Sequence, residues 1–163
     1  MENKEKRSRK VQFLIQAAVI AAVYAALTLA LAPFAYGVMQ IRVSEALTIL
    51  PLFTPAAVPG LFVGCILANL IGPYGILDVI SGSIATLLAA VVSYKLRHHK
   101  MLVPLPPVIA NALIVGLMLP YVYQVPIAPA LSILWVGIGE AIACYGLGLP
   151  LMKLLEKYKH IFK

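Results

Sequence analysis

Between Val11 and Tyr94 the chain carries three charged side chains, Arg42, Glu45 and Asp78, and between Met101 and Met152 it carries one, Glu140. Apolar runs of that length are built for hydrocarbon, which a helix of about 20 residues can cross. The whole sequence is 62% hydrophobic and 12% charged, against about 25% charged in soluble domains. A net charge of +7 would point to nucleic acid in a soluble protein, but its placement argues against such a partner. Lys4, Lys6, Arg7, Arg9 and Lys10 precede the first apolar run, Lys95, Arg97 and Lys100 fall in one internal loop, and Lys153, Lys157, Lys159 and Lys163 close the chain. Basic clusters flanking apolar segments follow the positive-inside rule, which assigns both termini and the 95–100 loop to the cytoplasm of a multi-pass cell-membrane protein. The apolar run from Val11 is also far longer than the roughly 7–15 residue core of a signal peptide.

The chain therefore reads as one all-α membrane domain over 1–163: a basic tail over 1–10, a helical bundle over 11–155 and a second cytoplasmic tail over 156–163. Six spans are predicted, near 11–35, 44–57, 60–71, 77–94, 102–121 and 127–155. The second and third are short and broken by Pro51, Pro55 and a Pro59-Gly60 turn. Such segments are tolerated at membrane depth only where protein or a cavity covers them, which puts the pair inside the bundle beside a site. Four crossings before the basic loop and two after it keep all three basic regions on one side. Ser44 is predicted as an N-cap, and Pro104, Pro106 and Pro107 should delay the fifth span. The segment 36–43 is the candidate lid. In the first span, Ala17, Ala21 and Ala25 form one helical row and Ala18, Ala22 and Ala26 the next, a small-residue face suited either to packing within the bundle or to docking a partner.

Ionisable groups at membrane depth cost several kcal/mol unless paired or facing a wet cavity, so Glu45, Asp78 and Glu140 are the first candidates for ligand binding. The competing assignments are a salt bridge to Arg42 for Glu45 and a helix N-cap for Asp78. Gln40, Asn69 and the aromatics Tyr36, Phe53, Tyr74, Tyr121, Tyr123 and Trp135 map to the same outer half, most of them suited to an interfacial belt. Trp135 and Glu140 lie five residues apart, about 140° around one helix, so they face different sides. Cys65 and Cys144 stand in apolar runs without ligand-like spacing and read as packing residues. His98, His99 and His160 belong to the basic regions. There is no Walker A, HExxH or GxSxG sequence, so the chain is predicted to be neither an enzyme nor dependent on a metal or cofactor.

The strings QIRVSEALTILPLFTPAAVPGLFVGCILAN and ILDVISGSIATLLAA resemble the QueT family, transporters for queuosine precursors proposed as substrate-binding, or S, components of energy-coupling factor importers. The resemblance covers essentially the whole chain. It implies a six-helix protein that binds a 7-deazaguanine such as preQ1, preQ0 or queuine from outside. It also implies a membrane-coupling subunit and two ATPase subunits as partners, with the alanine rows at Ala17, Ala18, Ala21, Ala22 and Ala25 as the docking face. A guanine-like edge suits carboxylate acceptors and an amide or arginine donor, which Glu45, Asp78, Asn69, Gln40 and Arg42 supply. Trp135, Phe53 or a tyrosine such as Tyr74 would serve as the stacking platform, and Glu140 or Asp78 would meet the cationic arm of preQ1. A stand-alone secondary transporter and an S component for thiamin or riboflavin are the alternatives.

Overall fold

The computed structural model describes residues 2–36, 40–158 and 162, with side chains from residue 5 onward. All regular structure among these residues is helical. In order come α1 (Glu2–Ala30), a one-turn α2 (Ala32–Ala35), a 3-10 helix (Val43–Leu52), α3 (Ala57–Ile71), α4 (Ile76–Lys95), α5 (Leu105–Tyr121), α6 (Pro129–Ala141) and α7 (Gly148–Glu156). A π turn over Ile142–Leu147 joins α6 to α7, so Pro129–Glu156 runs as one helix. Four helices are long and apolar enough to cross a membrane, and the shorter apolar segments Val43–Leu52 and Ala57–Ile71 lie between the first two. Of the candidate lid, residues 37–39 lie outside the described residues, as does His160.

The molecule buries a set of polar and charged groups beneath a largely apolar surface. Leu14, Leu70, Ile71 and Ile76 are among many large apolar side chains on the surface, while Gln40, Arg42, Glu45, Asn69, Asp78 and Glu140 are buried. That arrangement suits a protein embedded in lipid, where apolar surface costs nothing and unpaired polar groups cost several kcal/mol. The basic flanks gather at one end: Lys100 pairs with Glu156, and Arg9 and Gln12 line a hollow with Thr54 and Phe162.

The 3-10 helix is the hub. It touches α1, α3, α4, the π turn and α7, and its Ile49 and Leu50 join a core with Tyr24, Leu61, Ala90 and Met152. Ten residues of 3-10 helix reach about 20 Å, against about 15 Å for α-helix, so the segment covers much of the bundle's depth. Pro51, near its end, cannot donate to an α-helical ladder. Several sequence expectations change here. Ser44 does not cap: Arg42 holds that position without a side-chain cap bond, and the Ser44 hydroxyl pairs with that of Thr28 at 2.6 Å. Pro59-Gly60 is no turn, since α3 begins at Ala57 and proline is tolerated in a first helical turn. Asp78 is no cap either, because Gly75 takes that position. The fifth helix does start late, at Leu105, with Pro104 at its N-cap position and Pro106 and Pro107 within its first turn, where proline is tolerated.

The two alanine rows part company. Ala21 and Ala25 are buried and Ala17 is half-buried, whereas Ala18, Ala22 and Ala26 are exposed. The inner row meets α3 so closely that a Cβ on Gly60 would lie 2.9 Å from the Ala17 carbonyl oxygen, and one on Gly64 would lie 2.8 Å from the Tyr24 Cβ. The row Ala17, Ala21 and Ala25 is thus an internal seam rather than a docking face, as small residues let helices approach within a bilayer.

Gly64→Val should lower stability by about 1–3 kcal/mol through overpacking, read as a reduced thermal midpoint in detergent. Gly137→Ala, whose new methyl would stand 3.4 Å from Ala112, should be tolerated; equal losses in both variants would refute the seam.

Candidate functional site

Two connected polar clusters lie within the bundle. The first sits at the end opposite the basic flanks, where α4 begins. The Arg42 guanidinium is buried, donates from Nε to the Ala35 carbonyl at 3.3 Å and lies over the Tyr36 ring at 5.3 Å. Its Nη2 faces Asp78 Oδ2 at 3.8 Å, inside ion-pair range but beyond hydrogen-bond range. Asn69 of α3 donates to the Asp78 carbonyl at 3.1 Å and to Cys65 Sγ at 3.4 Å. Gly82 makes room for it, since an added methyl would stand 2.6 Å from Asn69 Nδ2. Gln40 is 2% exposed and adopts φ 45, two residues before Arg42.

Three tyrosines close this end. Tyr74 stacks on Tyr123 with ring centroids 4.5 Å apart and meets Tyr36 edge-on at 6.1 Å. Tyr74 donates to the Tyr36 carbonyl at 2.6 Å, Tyr36 donates to the Ala68 carbonyl at 2.7 Å, and Tyr123 donates to Asp78 Oδ1 at 3.4 Å. The aromatic surface therefore belongs to the same network as the carboxylate.

The second cluster lies deeper: Glu45 stands in the first turn of the 3-10 helix, and Glu140 stands about 16 Å from the start of α6 at a rise of about 1.5 Å per residue. Tyr24 of α1, fully buried, donates its phenol proton to Glu45 Oε1. Thr48 closes a turn onto the Glu45 carbonyl at 2.6 Å. Cys144, from the π turn, donates to Glu140 Oε2 and to the Glu45 carbonyl, each at 3.7 Å. Glu45 and Glu140 come from different segments and are each no more than 1% exposed.

Five buried side-chain atoms across the two clusters have no hydrogen-bond partner among the described residues: Gln40 Nε2, Arg42 Nη2, Glu45 Oε2, Asn69 Oδ1 and Asp78 Oδ2. Two are donors and three are acceptors. Each unmet buried group costs about 1–3 kcal/mol, and buried polar atoms are normally paired. The set thus offers both donors and acceptors.

Of the residues singled out from sequence, Glu45, Asp78, Asn69, Arg42, Gln40, Tyr74 and Glu140 all lie in or over these clusters. Three assignments need correction. The ion pair of Arg42 is with Asp78, not Glu45, because Arg42 precedes the 3-10 helix in extended backbone. Phe53 is not in the aromatic half; it stacks on Phe162 at 5.4 Å, near the basic end. Trp135 is 37% exposed and faces away from Glu140, as the helical angle between them requires. The structure also adds Tyr24, Thr28, Cys65 and Cys144, the cysteines being hydrogen-bonding members of the clusters as well as packing residues. Both are free thiols. Tyr24 was legible only as the one polar ring in an alanine-rich span.

Tyr24→Phe removes the donor to Glu45 and should cost about 1–3 kcal/mol of stability, measured as a fall in thermal midpoint. Tyr121→Phe, at an exposed ring, is the control; no difference between the two would discard the proposed weight of the Tyr24–Glu45 bond.

No curated protein and no solved structure matches this chain. The family model described as QueT transporter matches residues 14–157, most of the sequence and every segment that contributes to the two clusters. The chain belongs to the QueT transporter family.

Proposed function

We propose that this chain is the substrate-binding component of an energy-coupling factor importer, capturing a 7-deazaguanine queuosine precursor (preQ1, preQ0 or queuine) from outside the cell. The observation that carries the reading is the buried set of unpartnered donors and acceptors at Gln40, Arg42, Glu45, Asn69 and Asp78. A guanine-like edge offers N–H groups to a carboxylate and a carbonyl to an arginine or amide, and both kinds of partner are among these unpartnered groups. The 3.8 Å gap between Arg42 and Asp78 suits a polar ring edge that bonds to each. Tyr36, Tyr74 and Tyr123 supply aromatic surface, and stacking is worth about 1–3 kcal/mol per base in nucleic-acid binders.

In this reading six segments cross the plasma membrane, the 3-10 helix and α3 among them, with the basic end cytoplasmic and the tyrosine end outside. The gathering of basic residues at one end supports that orientation. Nucleotide hydrolysis belongs to two partner ATPase subunits, reached through a membrane-coupling subunit. The row Ala18, Ala22 and Ala26, left exposed by the inner seam, is the docking face on α1.

Purified protein should bind a 7-deazaguanine in titration calorimetry without nucleotide; binding of thiamin or riboflavin in its place would reassign the substrate. Glu45→Gln and Asp78→Asn should each weaken binding about tenfold or more, since each removes a charge-assisted acceptor, and unchanged affinity in both would overturn the site. Ala22→Trp should leave binding intact yet abolish uptake and co-purification with the coupling subunit, whereas normal uptake would exclude the docking face.

A further inference from the structure

The described interior buries three carboxylates, Glu45, Asp78 and Glu140, against one cation, Arg42. Arg42 faces Asp78, and among the described residues no basic side chain lies within ion-pair distance of Glu45 or Glu140. One oxygen from each of these two and the sulfur of Cys144 lie within 4.8 Å of one another, all three residues buried. Glu45 gives one oxygen to Tyr24, and its Oε2 is buried without a hydrogen-bond partner among the described residues. Two adjacent carboxylates at this depth are costly unless a cation or proton joins them.

We infer that Glu45, Glu140 and Cys144 form a cation subsite that receives a protonated amine carried by the ligand. The inference rests on the 7-deazaguanine reading and deepens it, selecting a ring with an aminomethyl arm over one with a nitrile. An ammonium group has three N–H donors. The three side-chain atoms lie within 4.8 Å of one another, with Cys144 Sγ 3.7 Å from Glu140 Oε2, so the carboxylate pair, and not the spacing, argues for a cation here. A nitrile there would turn a lone pair toward two carboxylates.

The test is titration of the full chain in lipid nanodiscs with preQ1, which bears the aminomethyl arm, with preQ0, which bears the nitrile, and separately with Zn²⁺. Wild-type protein should bind preQ1 about tenfold to a hundredfold tighter than preQ0, the range for a hydrogen bond to a charged group. Glu140→Gln should weaken preQ1 and leave preQ0 within about threefold, collapsing the preference. Equal wild-type affinity for the two compounds overturns the subsite while leaving the 7-deazaguanine reading standing, and it decides the question even if Glu140→Gln fails to fold. An equal loss of both ligands in that variant also overturns it. Stoichiometric Zn²⁺ binding that Glu140→Gln removes, with no preference for preQ1, would make the triad a metal site. Binding of neither compound, nor of queuine in the same titration, overturns the 7-deazaguanine reading, and the amine subsite falls with it.

Discussion

The hydrogen bond from Tyr24 to Glu45 is the contact on which the interior depends. A carboxylate in a segment that touches five other elements cannot be hydrated by water from the surface, so its desolvation must be met by neighbours within the bundle. Tyr24 meets it from α1. The position of Tyr24 depends in turn on the close seam with α3, since Gly64 leaves no side chain between that helix and the Tyr24 Cβ. A chain of dependence thus runs from a glycine on one helix, through a phenol on a second, to the acid in the first turn of the 3-10 hub. Glu140 and Cys144 reach the same point from the far end of the sequence.

Much of this was legible in the sequence, for reasons of cost. Charges in hydrocarbon are expensive, so Arg42, Glu45, Asp78 and Glu140 stood out against their apolar surroundings and marked the interior. The ends of the long helices followed from basic clusters and prolines. Residues without charge carried no comparable signal, and Thr28 and Cys144 look like ordinary packing residues until tertiary structure supplies their partners. Local proximity also misled: Arg42 and Glu45 stand three apart, as in an α-helical pair, but Arg42 precedes the helix and its side chain leaves in another direction. Phe53 was misplaced because a 3-10 helix advances about 2.0 Å per residue, which carries that ring farther toward the basic end than an α-helix would.

The alanine rows show a different limit. Ala17, Ala21 and Ala25 are chemically indistinguishable from Ala18, Ala22 and Ala26, and no property of α1 alone says which row turns inward. The deciding information lies on α3, where Gly60 and Gly64 are four residues apart. A small-xxx-small pair of that kind marks a face that must receive another helix. Matching the two helices, rather than reading either alone, separates the internal seam from the exposed surface.

The π turn over Ile142–Leu147 has a geometric consequence for the last long helix. Val136, Glu140, Cys144, Gly148 and Met152 recur at every fourth residue, and all are buried. In an ideal α-helix each four-residue step overshoots a full turn by about 40°, so four steps would carry the stripe about 160° around the axis and aim Met152 nearly opposite Val136. The wider turn, closed by i→i+5 bonds, rotates less per residue and takes back part of that drift. One continuous helix can then keep a single buried line, with Val136 packed on α5 in the tyrosine half and the π turn and α7 on the 3-10 hub, its phase corrected by the backbone at the level of Cys144.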